Sequence, residues 1–323
     1  MTAGKGLPSA PRPLVALAGP TASGKTALSV ALAKRFSAEV VCADSMQIYA
    51  GLSIGTARPT ADETGDVPHH LFGFVPPERA YSVAQYAADA RRTIDEIQSR
   101  GKLPLLCGGT GLYLEAVLCN LQYADEPEDG AVRERLRAEL AERGGEAMLA
   151  RLREIDPLAA AKLHPHDHGR IVRALEVFEV TGVTMTEQKR RSREVPSPYK
   201  SQLLVLDYRD RQTLYNRINR RVDKMLADGL AEEARAFLSA GHAPTAMQAI
   251  GYKELIPWLA GEKSLDEAAE DLKQSTRRYA KRQLSWFRRM DGAAFLYADD
   301  YATAAELIDA AAERILAFFD DTI

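Results

Sequence analysis

The sequence predicts an α/β fold in which a parallel sheet, flanked by helices, is interrupted by an all-helical insertion. Three observations support this prediction. Apolar runs of strand length alternate with segments of helical periodicity, and a glycine-rich motif joins the first run to the first helix. A long stretch rich in Ala and Arg then lacks strand-like runs until they resume. The 323 residues, 46% hydrophobic and 27% charged, have the composition of a globular protein with a sizeable core.

The glycine-rich motif lies between the apolar run Leu14–Ala18 and a helical segment, Ala27–Phe36. Its two glycines, separated by four residues and followed by Lys and Thr, fit the P-loop pattern, in which main-chain N–H groups at a helix N-terminus surround phosphate oxygens. We therefore predict a P-loop NTPase-like fold, with Mg²⁺ as cofactor at the Thr26 hydroxyl. The alternative is a glycine-rich turn that binds nothing. The predicted phosphate-binding residues are Gly19, Pro20, Thr21, Ala22, Ser23, Gly24, Lys25 and Thr26.

The second predicted strand, Glu39–Ala43, ends at Asp44. Ligands of parallel α/β sheets bind outside the carboxyl ends of the strands, so we expect Asp44 near the phosphate site. Its carboxylate either holds Mg²⁺ or water, accepts a proton from a nucleophile, or caps a helix N-terminus. Loops are predicted for Gly55–Pro59 and Pro68–Leu71, and the histidine pair in the second loop is expected to be solvated or capping.

A second strand–turn–helix unit follows an amphipathic helix, Ser82–Arg100. The apolar strand Leu103–Cys107 leads through a Gly-Gly-Thr-Gly turn into a helix, Leu112–Leu118. Thr110 in this turn either faces the same ligand or belongs to a tight βα turn. No Asp closes the strand, so the usual acidic partner of P-loop ATP hydrolases is absent there, which disfavours an NTPase.

The predicted domain organisation places a helical insertion domain at residues 123–198, between two parts of the core, 14–122 and 199–315, after a flexible tail, 1–13. Within the insertion, an H-x-H-x-H run precedes a helix that carries arginines one turn apart. A metal site and a capping or surface role are both open for this run, because no Cys or carboxylate cluster accompanies it. The residues concerned are His164, His166, His168, Arg170 and Arg173.

The sheet resumes with Ser201–Leu206, and Asp207 is either the missing acidic partner or, preferably, a turn residue. Five arginines crowd the helix that follows, which favours phosphate clamping over a solvated face. The final predicted helix, Gln274–Arg289, interleaves bases with aromatics, a pattern typical of RNA contacts or of a core-packed stripe. The five arginines are Arg209, Arg211, Arg217, Arg220 and Arg221.

Charge and cysteine usage limit the remaining function classes. The net charge of −3 predicts no nucleic-acid partner by itself, and no run is long enough to cross a membrane. The three cysteines, Cys42, Cys107 and Cys119, lack metal-type spacing and lie in apolar stretches, which predicts buried thiols in a reducing cytoplasm.

Seven motifs, taken together and in order, resemble the tRNA dimethylallyltransferase family. Members of that family transfer a dimethylallyl group from its pyrophosphate to N6 of the adenosine that follows the anticodon in tRNA. The resemblance spans Gly19 to Arg289 and is far more specific than the P-loop alone. The motifs are the P-loop, Asp44–Tyr49, Gly55–Pro59, Gly108–Tyr113, Arg170–Glu176, Gly251–Lys253 and Ala280–Phe287.

The resemblance implies that the P-loop binds dimethylallyl pyrophosphate, that Asp44 takes the proton of the attacking amine, and that Thr110 and Arg217 complete the catalytic set. The adenine must be flipped out of the anticodon loop to react. The insertion is expected to bind the anticodon stem-loop, and the protein is expected to be a monomer. The implied tRNA contacts are Asp44, Ser45, Met46, Gln47, Thr110, Arg133, Gly169, Arg170, Ile171, Val172, Arg173, Gln248, Gly251, Tyr252, Lys253, Glu254, Lys281 and Arg282.

Two departures and two rival functions accompany this interpretation. Gln248 replaces an arginine common in the family, and the three-histidine run is not a family feature. A P-loop kinase of a small molecule or nucleotide would share the loop and Asp44 but bind ATP and need no extended basic surface. A non-catalytic RNA-binding module would keep the basic helices and leave the P-loop unexplained.

Overall fold

The computed structural model of the chain describes residues 11–123, 130–240 and 245–320. Its sheet has six strands in the order β3-β2-β4-β1-β5-β6, and every neighbouring pair is parallel. The strand that leads into the P-loop, β1, therefore lies inside the sheet, between β4 and β5. The strands are β1 (Arg12–Ala18), β2 (Ala38–Cys42), β3 (His69–His70), β4 (Leu103–Gly108), β5 (Tyr199–Asp207) and β6 (Ala293–Tyr297).

The helices surround this sheet or form the insertion. In chain order they are α1 (Lys25–Phe36), α2 (Ala61–Thr64), α3 (Val83–Ser99), α4 (Gly111–Leu118), α5 (Ala131–Ile155), α6 (Pro157–Ala160), α7 (His168–Thr181), α8 (Met185–Glu194), α9 (Arg211–Ala227), α10 (Leu230–Ser239), α11 (Ile256–Leu259), α12 (Leu265–Phe287) and α13 (Ala304–Asp320). No described helix is both long and apolar enough to cross a membrane.

Both faces of the sheet are covered, which explains why its central strands are continuous apolar runs. Along β1, Leu14 and Ala16 belong to one apolar cluster, whereas Val15 and Leu17 belong to another. Because successive strand residues point to opposite faces, these two clusters are the cores on the two sides of the sheet. The predicted parallel sheet flanked by helices is confirmed.

The described chain divides into two compact units. Cys119–Ser197 forms the helical unit, with α5 to α8, and the rest forms the sheet unit. In the helical unit α5 bends at Gly144, so that it packs against α7 around an apolar core of its own. The two ends of the unit lie side by side, because Asn120 Nδ2 donates to the Pro196 carbonyl (3.1 Å) and the Ser192 hydroxyl donates to the Gln122 carbonyl (2.7 Å).

Some predictions about individual segments were wrong. His69 and His70, predicted in a loop, form the edge strand β3, where His70 Nε2 lies 2.7 Å from Glu39 Oε2. Two residues are too few to produce a strand pattern. The predicted tail, 1–13, extends too far, because β1 already begins at Arg12; residues 1–10 lie outside the described chain. The helix predicted as final is followed by β6 and α13. The edge strand β6 is mostly half-buried and gives no long apolar run.

The prediction of three buried thiols holds only in part. Cys42 is buried and Cys107 partly buried, whereas Cys119 is exposed, because it lies in the turn just beyond the last residue of α4. Burial raises the pKa of both the Cys42 and the Cys107 thiol, so these two groups are protonated near neutral pH.

Candidate active site

The P-loop connects β1 to α1 and leaves the N-terminus of that helix open. Gly24, the residue before α1, has φ 100°, a left-handed conformation that glycine adopts without steric cost. The helix has no side-chain cap and no acidic residue in its first turn. The N–H groups of that turn, together with the helix dipole, therefore form a site for an anion. Some loop amides are already used, since Thr21 N–H donates to Gln283 Oε1 (2.9 Å) and Ser23 N–H to the Pro20 carbonyl (3.3 Å).

Three cationic side chains lie around this loop. Lys25 Nζ donates to the Pro20 carbonyl (2.8 Å), and Arg217 Nε donates to the Ala22 carbonyl (2.9 Å). Arg221, one turn further along α9, lies close enough to lower the pKa of Lys25. The main cause is burial, which brings the Lys25 pKa down to about 8. Burial also lowers the pKa of Arg221. A bound polyanion would restore the interactions that these cations lose with water.

Asp44 follows β2 and lies near the loop, and its two carboxylate oxygens have different surroundings. Oδ1 accepts from the N–H groups of Met46 (2.9 Å) and Gln47 (3.4 Å), so it caps the turn that follows; no helix begins there. Oδ2 points toward Gly109, where a Cβ would lie 3.5 Å away. The capping alternative and a chemical role are therefore compatible, because they use different oxygens. Asp44 also raises the pKa of Lys25, which places the carboxylate beside the phosphate loop.

Thr110 is held against the end of β2. Its hydroxyl accepts from Ser45 N–H (2.9 Å), and its own N–H donates to the Ala43 carbonyl (3.1 Å). The turn that carries Thr110 is thereby fixed beside Asp44. Of the two roles left open for Thr110 by the sequence, the structure shows the turn contact and brings the hydroxyl into the site.

Gln283 of α12 ties the two glycine turns together, a role that no sequence pattern indicated. Its Oε1 accepts from Thr21 N–H and its Nε2 donates to the Gly109 carbonyl, both at 2.9 Å, inside a buried environment. A Cβ at Gly109 would lie 2.2 Å from Gln283 Nε2, so glycine is required for this approach. One buried amide thus sets the separation between the P-loop and the Thr110 turn.

Tyr279 lies one turn before Gln283 on α12, and its phenol is enclosed near Asp44, Thr110 and Gln283. Burial raises the pKa of this phenol, and the charge of Asp44 adds to the shift. Tyr279 therefore stays neutral and can act only as a hydrogen-bonding group. In the sequence Tyr279 lies among basic residues, so the sequence alone does not show that its side chain points into the site.

The predicted Mg²⁺ at Thr26 fits the residues present. Thr26 is the second residue of α1, beside the open helix N-terminus. Among the described residues, the Ser23 hydroxyl is buried without a hydrogen-bond partner, as expected for a group that awaits a phosphate oxygen or an ion-bound water. Mg²⁺ usually keeps several waters and takes substrate phosphates as ligands, so one protein hydroxyl is sufficient.

The predictions for the five arginines at and just before α9, and for the acid that precedes them, are only partly right. Arg217 contacts the P-loop and Arg221 lies near Lys25, with a bond to the Ala57 carbonyl, whereas Arg209 pairs with Asp300. Asp207 is no simple turn residue: it is fully buried at the end of β5, and both of its oxygens accept from Arg211 (2.9 and 2.8 Å). Its partner is four residues away on the next helix, and this pairing occupies the carboxylate.

The aromatics of α12 are divided between core and site. Phe287 is fully buried in the sheet unit, as the core-packing alternative predicts. The Trp286 ring lies on Gly111, where a Cβ would come within 2.3 Å of it, and Arg289 stands over its ring at 5.9 Å. Lys281 and Arg282 are exposed, as a contact with RNA requires.

In the helical unit, two of the three predicted RNA arginines lie around one carboxylate. Arg133 and Arg173 both pair with Glu176, which is buried, at 2.9 and 3.0 Å. They line a cavity of about 290 Å³ together with Gly169, Val172 and His168. Arg170 is exposed, but Ile171 is fully buried and Val172 nearly so. Any RNA contact by Ile171 is therefore limited to its main chain.

The second predicted RNA segment, in the sheet unit, is likewise mixed. Gln248 and Lys253 are exposed. Tyr252 is fully buried, so its side chain serves the fold, and Glu254 accepts from Gly251 N–H (3.0 Å). The sequence motif identifies the segment but does not show which of its side chains are buried and which are exposed.

The three-histidine run gains no metal-binding geometry. The rings of His164 and His166 lie 4.9 Å apart, those of His166 and His168 6.2 Å apart, and Asp167 accepts from His164 N–H (2.8 Å). No cluster of three His, Cys, Asp or Glu side chains suited to a metal occurs in the described part of the chain.

The interior strand β1, the glycine loop after it and the cations around that loop define a P-loop protein of the α/β class. The family model described as IPP transferase matches residues 47–290, and that described as isopentenyl transferase matches residues 13–68. The chain belongs to the tRNA dimethylallyltransferase family, as the seven motifs indicated.

Individual relatives support this membership. A tRNA dimethylallyltransferase of Caldanaerobacter subterraneus subsp. tengcongensis is 45% identical over 91% of this chain and 94% of its own length. One of Halalkalibacterium halodurans is 48% identical over 85% and 88%. Among solved structures, a tRNA isopentenylpyrophosphate transferase from Bacillus halodurans is 40% identical, with TM-score 0.70, covering 96% of this chain and 98% of that one. A eukaryotic dimethylallyltransferase acting on tRNA is 27% identical, with TM-score 0.79, covering 95% and 80%.

Proposed function

We propose that this protein transfers a dimethylallyl group from dimethylallyl pyrophosphate to N6 of the adenosine 3′-adjacent to the anticodon in tRNA, and releases pyrophosphate. The observation that carries the proposal is the uncapped N-terminus of α1, surrounded by Lys25 and Arg217 and near Asp44. A site for negative charge and a proton acceptor meet there, as the displacement of pyrophosphate by an amine requires. We further propose that the enzyme acts as a monomer in the cytoplasm.

The reaction forms a bond between N6 and the allylic carbon while the bond from that carbon to the pyrophosphate oxygen breaks. The amides of α1, Lys25 and Arg217 stabilise the charge that builds on the leaving pyrophosphate. Asp44 Oδ2 takes the proton that N6 loses. Mg²⁺ at Thr26 would supply further charge neutralisation for the pyrophosphate. Thr110 and Gln283 hold the turn opposite the P-loop at a fixed distance from it.

The adenine must leave the stack of the anticodon loop before its amine can reach this site. We propose that Gly169, Arg170 and Arg173 of the helical unit hold the anticodon stem-loop through its phosphates. Arg170 is exposed, and Arg173 is half-exposed beside the cavity. In the sheet unit, Gln248, Lys253, Lys281 and Arg282 offer exposed polar or basic groups for the same purpose.

The deciding experiment compares donors. We expect mass spectrometry of nucleosides to find dimethylallyl-adenosine in tRNA incubated with the protein, Mg²⁺ and dimethylallyl pyrophosphate. Calorimetry is expected to show tighter Mg²⁺-dependent binding of this donor than of ATP. Tight ATP binding together with phosphate transfer to a small acceptor would move the assignment to the kinase class. Membership of the tRNA dimethylallyltransferase family disfavours that outcome.

Salt dependence tests the arginines of the helical unit. Because phosphate contacts release counterions, tRNA affinity is expected to fall steeply with salt. The double variant Arg170→Ala/Arg173→Ala is expected to make the log–log slope shallower by about one for each phosphate that the variant no longer neutralises. Pyrophosphate binding is expected to persist. In the control, Arg153→Ala/Lys162→Ala, two exposed charges of the same unit are removed, and the slope is expected to change less.

Glu176 makes this test informative, because it retains Arg133 as a partner when Arg173 is removed. The helical unit is therefore expected to stay folded, which circular dichroism checks. Equal losses of tRNA and pyrophosphate binding in the double variant would contradict a role in gripping RNA and assign these arginines to the fold.

A further inference from the structure

A carboxylate outside the active site accepts hydrogen bonds from consecutive main-chain N–H groups of one loop. Glu233 of α10 accepts hydrogen bonds from three consecutive N–H groups: Ser53 (3.0 Å), Ile54 (3.0 Å to each carboxylate oxygen) and Gly55 (2.9 Å). We call residues 53–57 the anchored loop. A carboxylate held by several main-chain donors is a strong, charge-assisted arrangement that fixes the backbone, since side-chain rotation at the loop cannot release it.

Tyr252 completes this anchor from a second direction. Its hydroxyl donates to Glu233 Oε1 at 2.7 Å, and its fully buried ring lies directly on the anchored loop. A Cβ at Gly55 would approach the Tyr252 ring to 2.6 Å, so only glycine permits this packing. Burial and the neighbouring Glu233 raise the pKa of the phenol, which therefore keeps its proton and remains a donor. The Gly-Tyr-Lys and Gly-Thr-Ala motifs thus meet at one contact.

The anchored loop in turn orients side chains of the site. Gln47 Nε2 donates to the carbonyls of Thr56 (3.0 Å) and Ala57 (3.1 Å), so both of its amide hydrogens are used and the amide plane is fixed. Arg221 Nη2 makes a longer contact, 3.4 Å, with the same Ala57 carbonyl. Gln47 also donates its main-chain N–H to Asp44 Oδ1. A chain of hydrogen bonds therefore runs from Glu233 to Asp44.

We propose that Glu233 and Tyr252 are positioning residues. Through the anchored loop they hold the side-chain amide of Gln47. The turn that contains Gln47 then keeps the Asp44 carboxylate in the orientation that prenyl transfer needs. This proposal rests on the proposed function, because the orientation matters only if Asp44 receives the amine proton. The effect of both residues passes through the Thr56 and Ala57 carbonyls.

The test uses variants that keep size and packing. Glu233→Gln replaces one acceptor oxygen by an NH₂ group that cannot accept from the loop, and Tyr252→Phe removes only the hydroxyl. Glu232→Gln, at an exposed neighbouring position of α10, is the matched control. Hydrogen exchange measured by mass spectrometry is expected to accelerate at least about tenfold at residues 53–55 in Glu233→Gln, less in Tyr252→Phe, and not in the control.

Kinetics then separates positioning from mere stability. The single-turnover rate at saturating donor and tRNA is expected to fall about tenfold in Glu233→Gln, while the tRNA dissociation constant changes less than about threefold. In a Gln47→Ala background the same substitution is expected to change the rate less than about twofold, because the side chain that the loop positions is gone. Effects that simply add in the double variant would place the action of Glu233 elsewhere.

Three other outcomes overturn the proposal. Unchanged exchange at residues 53–55 in Glu233→Gln would mean that the carboxylate does not hold the loop. Faster exchange with an unchanged rate would mean that the loop does not position the site. If Glu233→Gln fails to fold, Tyr252→Phe carries the test, and a wild-type rate in that variant would likewise mean that the loop does not position the site.

The failure of this proposal can be told apart from failure of the proposed function. If the wild-type protein forms no prenylated adenosine, the proposed function itself is wrong. If the wild type is active and Glu233→Gln is equally active, only the anchor is wrong.

Discussion

Asp44→Asn is expected to lower single-turnover prenyl transfer by on the order of 10²-fold or more. The asparagine keeps the Oδ1 acceptor that caps the Met46–Gln47 turn, so the local structure persists. It replaces Oδ2, the oxygen that faces Gly109, by an amide nitrogen that cannot take a proton. Rapid-quench measurement with saturating donor and tRNA reports the step directly. Binding of both substrates is expected to change much less, because the loss arises in the transition state.

The matched control for this experiment is Asp62→Asn, which neutralises an exposed carboxylate of α2. Its rate is expected to equal that of the wild type. An Asp44→Asn rate within about threefold of wild type would eliminate the general-base role and leave Asp44 only as the cap of its turn.

Lys25→Met is expected to weaken binding of pyrophosphate in the presence of Mg²⁺ by about 10- to 100-fold, since a hydrogen bond to a charged group contributes about 1.5–3 kcal/mol. Methionine has a similar length, so the P-loop is expected to keep its shape, and the open amides of α1 retain the remaining affinity. Isothermal calorimetry measures the change. Undiminished affinity in Lys25→Met would show that the lysine serves only its contact with the Pro20 carbonyl.

The lowered pKa of Lys25 gives this binding a pH dependence of definite sign. Below pH 8 the free side chain already carries its proton, so affinity does not depend on pH through this group. Above pH 8 the amine must take up a proton to bind the anion, and affinity is expected to fall by up to about tenfold per pH unit. Lys25→Met measured over the same range supplies the control, because it lacks the Lys25 amine and keeps the titration of pyrophosphate. Parallel profiles for the two proteins would contradict the assignment.

How far the fold was predictable depended on burial. Strands β1, β2, β4 and β5 are enclosed on both sides and therefore read as apolar runs, which the sequence displays directly. The edge strands β3 and β6 are short or half-buried, so their pattern resembles that of loops. Sequence periodicity reports how much of an element is covered, and elements at the margin of a sheet are covered least.

The parts of the site that were predictable follow from local sequence patterns, and the parts that were missed depend on residues far apart in the sequence. The position of Asp44 beside the P-loop was predictable, because each follows a buried strand and the carboxyl ends of parallel strands meet at one edge of the sheet. Gln283 joins Thr21 to Gly109 across more than 170 positions, and Glu233 contacts Gly55 across 178. No periodicity encodes such pairs. Ile171 shows the converse, since a motif implies a contact at each of its positions although this side chain packs inward.

The paired ends of the helical unit have a consequence for how much of this segment can be changed. The chain leaves the sheet unit after α4 and returns at β5, and Asn120 and Gln122 at the first end bond to Pro196 and Ser192 at the second. A segment whose ends meet can be exchanged or trimmed without changing the strand order of the sheet from which it emerges. On the role proposed for this unit, its RNA contacts can therefore vary while the P-loop and the strands around it stay unchanged.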